Sequence, residues 1–146
     1  MHRRNWWLVV AVIAVPMLLA ACGGSGQGSD DPPPATVQQV KGTDVLRITL
    51  SEEAARRIAL QTAAVLPDRA DPRRTGIPYA AVFYAPDGKT WAYVNQQKLT
   101  FMREPITVER IAGARAILSA GPPVGTKVAT VGVAELYGTE TDVGED

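Results

Sequence analysis

One cysteine and one histidine are all that 146 residues supply of the side chains most used for metal binding and nucleophilic chemistry. A lone cysteine closes no internal disulfide, and a cysteine-rich zinc site needs several. An excess of either charge is also missing, since 15 Lys+Arg stand against 15 Asp+Glu. Domains that bind nucleic acid usually carry a basic excess, so no nucleic-acid partner is expected. Long apolar stretches are lacking too. The run from Trp6 to Leu19, interrupted by Pro16, is about 14 residues. Crossing a ~30 Å hydrocarbon core takes roughly 20 helical residues.

Position gives these scarce residues their meaning, because His2 and Cys22 both lie near the start. Arg3 and Arg4 precede the apolar run, and small residues follow it. That order marks a secretory signal peptide. The residues Leu19-Ala20-Ala21-Cys22 resemble a bacterial lipobox. The resemblance implies that the Cys22 thiol receives a diacylglyceryl group and that cleavage between Ala21 and Cys22 makes the cysteine the new N-terminus. An ordinary signal with a chance cysteine and an uncleaved anchor helix are the alternatives. The Arg3-Arg4 pair is a weak twin-arginine signal, and Sec export is favoured.

Removing 21 residues from the 146 leaves 125, with 13 basic and 15 acidic side chains. That chain has no histidine, an acylated cysteine and Trp91 as its single tryptophan. It therefore has no imidazole base and no free thiol, and it cannot build a His/Cys zinc site. No cofactor is expected beyond the covalent lipid. Residues 22–40, continuing from Cys22 as GGSGQGSDDPPPATVQQV, read as a Gly/Ser/Pro tether with a reach of roughly 25 Å. Residues 138–146 hold four acids and no base and read as a frayed acidic tail. The folded part is then 41–137, mildly basic with 13 bases and 9 acids.

Within it the hydrophobic period is mostly two. Leu46, Ile48 and Leu50 share one face of a strand. Ser51 is placed to cap a short helix with Glu52 and Glu53 in its first turn and Arg56 and Arg57 near its end. Strands are expected around Leu60–Val65, Ile77–Tyr84, Thr90–Asn95, Leu99–Arg103, Ile106–Arg110, Arg115–Ser119 and Lys127–Val133, with Pro105 marking an edge or bulge. Seven or eight short strands and a helical turn or two predict a mainly β fold, a small antiparallel barrel or sandwich.

Four pieces of this region resemble the periplasmic adaptor subunits, or membrane fusion proteins, of resistance–nodulation–division efflux systems. They are Leu50 to Val65, Ile77-Pro78-Tyr79-Ala80-Ala81-Val82, Asp87 to Val94, and Arg103 to Val108 followed by Ala120 to Gly132. The resemblance covers about 90 residues, in the family's order, and implies the membrane-proximal domain of such an adaptor. In that family a β-barrel domain, a lipoyl-like domain and a helical hairpin stand between the first and second pieces. Here only Leu66 to Gly76 fills that interval. The family's two chain ends come together in the retained part. The resemblance implies a non-catalytic interaction module of a transport complex. It would sit in the bacterial cell envelope, held to a membrane through Cys22 and bound to an integral membrane transporter or other envelope protein. A stand-alone envelope lipoprotein with a ligand-binding or structural role is the alternative.

Side chains fit for partner contact compete with plainer readings. Tyr79, Phe83, Tyr84, Trp91, Tyr93 and Phe101 are either binding anchors or packing at period two, with Tyr84 and Tyr93 the two expected to be exposed. Arg69, Arg73 and Arg74 either line a solvated loop or touch lipid headgroups or an acidic partner. Tyr84, Tyr93, Arg73 and Arg74 are thus the candidate partner-binding residues. Glu52-Glu53 is explained by capping and Asp68/Asp71 by turn chemistry, so no carboxylate pair is set for catalysis. No calcium loop and no phosphate-cradling glycine pattern is visible.

Overall fold

The computed structural model describes residues 32–142. The expected signal segment, Ala21 and Cys22, the first part of the tether and residues 143–146 lie outside the described residues.

The chain builds two antiparallel sheets. The large one contains β1 (Ala35–Gln39), β2 (Leu46–Leu50), β3 (Gln61–Ala64), β6 (Phe83–Tyr84), β7 (Thr90–Gln97), β8 (Thr100–Pro105) and β11 (Lys127–Val131). Its order is β1-β2-β8-β7-β11-β3, with β6 also paired to β7. The small sheet contains β4 (Leu66–Pro67), β5 (Thr75–Pro78), β9 (Thr107–Ala112) and β10 (Arg115–Ala120) in the order β4-β5-β10-β9. The sheets do not close into a barrel, and the arrangement is a sandwich.

Val65, Ile77, Ala81, Ala92, Val94, Ile106, Ala116, Leu118 and Val128 form the core between the sheets. The chain passes from the large sheet to the small one twice, at Val65 and at Ile106, and both residues are buried. The second crossing explains Pro105. It ends β8 opposite Trp91, where its missing N–H costs no further ladder bond. Ile106 N–H then donates to the Thr90 carbonyl as the strand leaves the large sheet.

A third layer covers the other face of the large sheet. It is made of α1 (Glu52–Arg57) and α2 (Val133–Asp142). Ile48, Leu50, Ala55, Tyr93, Phe101, Ala129 and Leu136 form this second core. As expected, Ser51 caps α1, its Oγ accepting from Ala54 N–H at 3.1 Å. The helix ends in a Schellman motif: Leu60 N–H donates to Ala55 O and Ala59 N–H to Arg56 O. The motif places Ala59 at φ 50, a left-handed conformation that glycine adopts without strain. Ala59→Gly should therefore raise stability by about 0.5–1 kcal/mol in urea unfolding. A lower stability would mean that the Ala59 methyl packs usefully.

Two expectations are corrected here. The tether was expected to run to Val40, but Ala35–Gln39 is a strand paired in full register with β2. Leu46–Leu50 would otherwise be an unpaired edge, and Ala35 and Val37 are partly buried against it. The acidic tail was expected from Gly138, but α2 runs to Asp142. Val133, Leu136, Tyr137 and Glu140 recur at helical spacing along its sheet-facing side, and Leu136 is fully buried. The last strand accordingly stops at Val131, with Gly132 at φ 87 turning the chain into the helix.

A candidate partner-binding surface

β7 runs through the middle of the molecule. Its alternation is as expected, with Ala92 and Val94 facing the small sheet and Trp91 and Tyr93 facing the other way. Both faces are covered, however, so Ala92, Tyr93 and Val94 are all buried. Tyr93 was expected at the surface and is fully buried beneath α2. Its ring stacks on Phe83 with centroids 4.8 Å apart, and Phe83 in turn meets Tyr137 at 5.5 Å.

The Tyr93 hydroxyl donates to Glu140 Oε2 at 2.5 Å. Glu140 is only 5 % exposed. Its second oxygen lies 3.1 Å from Arg103 Nε. Arg103 is the cross-strand neighbour of Tyr93 on β8, and its guanidinium sits 4.8 Å over the Trp91 ring. Burial, then the bond to the Glu140 carboxylate, push the Tyr93 phenol well above the ordinary tyrosine value. These groups form a closed internal latch on α2 and are not available to a partner.

Tyr84 behaves as expected and is 58 % exposed. It lies at the end of β6, beside Tyr79 of the 3₁₀ turn Tyr79–Ala81, which is 44 % exposed. A hydrogen-bonding contact with Tyr79 raises the Tyr84 phenol above its ordinary value. Tyr79 is fixed from below by its backbone N–H, which donates to Ala114 O in the β9–β10 turn. Tyr84 also walls an open groove of about 580 Å³ with Lys89, Thr90 and the crossing segment Pro105–Val108. Two neighbouring exposed tyrosines beside a groove with one lysine on its rim have the composition of a protein-contact surface. The sequence named both tyrosines but favoured Tyr93 over Tyr79. Pro78 before Tyr79 was the available signal, since it favours a surface turn over a buried strand.

The arginines of the 68–74 loop are largely engaged. Arg73 forms a forked pair with Asp71, and this hydrogen bonding holds the Asp71 carboxyl below its ordinary value. Arg74 Nε lies 2.7 Å from Glu109 of β9. Neither is brought near Tyr84 by any hydrogen bond or ion pair among the described residues. A second open groove of about 460 Å³, mainly apolar, lies between β1, α1 and α2 and is lined by Pro34, Val37, Leu50, Ile58 and Glu135 among others. No group of three or more metal-ligating side chains occurs among the described residues. No helix among them is long and apolar enough to cross a membrane. Comparison with protein-family models, with curated proteins and with solved structures yielded no match.

Proposed function

We propose that the chain is a lipid-anchored, non-catalytic interaction module of an envelope transport complex, built like a periplasmic adaptor reduced to its membrane-proximal domain. One observation carries the reading. Strands from before Val65 (β1, β2, β3) and from after Gly76 (β7, β8, β11) belong to one sheet. Between them the chain makes only a short hairpin, closed by Asp68 N–H donating to Arg74 O. An adaptor whose long middle excursion is removed would have this arrangement, with its two chain ends forming one domain and a surface turn at the point of excision. The Tyr79–Tyr84 surface is then the contact for an integral membrane protein, and Cys22 holds the domain beside it.

Intact-mass measurement of the mature protein tests the anchor. The expected species begins at Cys22 and carries a diacylglyceryl group. An unmodified chain beginning before Cys22 would overturn that part of the reading. The groove beside α1 favours a second reading, a stand-alone lipoprotein that binds a small ligand. That reading requires unchanged export of transported compounds when the protein is absent, whereas the module reading requires reduced export.

A further inference from the structure

The small sheet has an outer face turned away from the core, and arginine dominates it. Side chains alternate along β10, so Ala116 and Leu118 enter the core while Arg115, Ile117 and Ser119 point outward. Ile117 is nonetheless only 2 % exposed. Its register partners are Gly76 on one side and Arg110 on the other. The Arg115 guanidinium lies over Gly76, so close that a Cβ there would meet Arg115 Nη2. Arg110 reaches across to Asp68 at 2.9 Å. The arginine side chains thus lie over the sheet around Ile117, with Arg115 itself only partly exposed.

Five arginines gather on this face and its adjoining loop: Arg69, Arg73, Arg74, Arg110 and Arg115. Asp71, Glu109 and Asp68 neutralise three of them. Arg69 and Arg115 form no ion pair among the described residues, and Arg115 Nη2 is shielded from solvent with no hydrogen-bond partner. There is no lysine in the loop or in the small sheet. A guanidinium presents a planar fork that matches phosphate oxygens, which an ammonium does not. Leu66, at the edge of the same face, is 47 % exposed.

We infer that this face docks on anionic phospholipid headgroups, with Arg69 and Arg115 binding phosphate and Leu66 meeting the interface beside them. The inference rests on the proposed anchoring through Cys22. Cys22 and Pro34 are twelve positions apart, and even fully extended that stretch spans at most ~40 Å. At that distance docking is intramolecular and weak contacts suffice. A negative surface attracts a basic patch only within a Debye length of ~8 Å, so the patch must lie flat against it. Arg69 in its exposed loop and the partly exposed Arg115 lie on a sheet face and its border and not in a cleft, which suits a planar array of phosphates better than a single acidic peptide.

The test uses the mature chain with Cys22→Ser, which cannot be acylated, so that docking is read apart from anchoring. It should sediment with vesicles of equimolar phosphatidylglycerol and phosphatidylcholine, and not with vesicles of phosphatidylcholine alone. Binding should weaken with added salt, and by about tenfold or more when Arg69 and Arg115 are both changed to Gln. Arg69→Gln alone, in an exposed loop, should cost about fivefold with an unchanged melting temperature, which separates docking from folding. Equal binding to both vesicles, retention by the variants, or competition by polyglutamate as effective as that by anionic vesicles would overturn the inference. The intact mass of the native protein reports separately on the anchor.

Discussion

Glu140→Ala should lower the stability of the folded chain by about 3 kcal/mol, a drop of about 10 °C or more in melting temperature. The alanine leaves Arg103 without its carboxylate and the buried Tyr93 hydroxyl without its acceptor. Losing one member of a largely buried ion pair costs more than the pair contributes, because the remaining charge stays desolvated. Glu140→Gln keeps an acceptor for Tyr93 and should lose roughly 1–2 kcal/mol. Glu140→Leu combined with Arg103→Met removes both charges and should fall within about 1 kcal/mol of the parent. Hydrogen exchange should quicken in α2 before the strands, since this carboxylate ties the helix to the sheet. Urea unfolding of Glu140→Ala within about 0.5 kcal/mol of the parent would mean that Leu136 and its apolar neighbours hold α2 unaided.

The same latch sets an alkaline limit. The folded state raises the Tyr93 pKa, so it keeps a proton that the unfolded chain gives up near the ordinary value of 10.0. The stabilisation is complete below that pH and is lost progressively as the pH rises above it. Melting temperature should fall steeply above about pH 10 in the parent and less steeply in Tyr93→Phe.

Changing Tyr79 and Tyr84 together to Ser should reduce capture of the membrane partner by about 100-fold or more, with stability changed by less than about 0.5 kcal/mol. Both rings are largely exposed, and the fixed point of the turn is the Tyr79 backbone, which serine retains. Interface tyrosines that act as anchors cost about 30-fold or more each on truncation. Tyr93→Phe serves as the contrasting variant: it should lower stability and leave capture by the folded protein intact. Equal loss of capture by Tyr93→Phe at a temperature where it is folded would place the contact elsewhere.

Much of this architecture was legible because short-range rules govern it. Ser51 followed by two acids specified α1, and alternation specified β2, β7 and the hairpin around Gly113. Two elements were hidden for related reasons. Ala35–Gln39 is polar and follows three prolines, so only its pairing with β2 reveals it as a strand. In α2, Gly138, Thr139 and Thr141 are poor helix formers, and the acids around the Val133-Leu136-Tyr137 stripe have no basic residue beside them in sequence. Missing α2 is what misplaced Tyr93. The period of β7 was right, but which of its faces met water depended on a helix formed by residues that resembled a tail. The Tyr93–Glu140 contact spans 47 residues, and no local pattern encodes it. The tyrosines that remain exposed, Tyr79 and Tyr84, flank a 3₁₀ turn introduced by Pro78, and both were visible as candidates.

The central claim is that this domain meets an integral membrane transport protein through the Tyr79–Tyr84 surface. The most direct measurement places a photo-crosslinking residue at position 84 of the full-length protein in its native membranes, with position 57 on α1 as the control. One discrete adduct with an integral membrane transport protein is expected from position 84, and none from position 57. No adduct from position 84, or the same adducts from both positions, would contradict it.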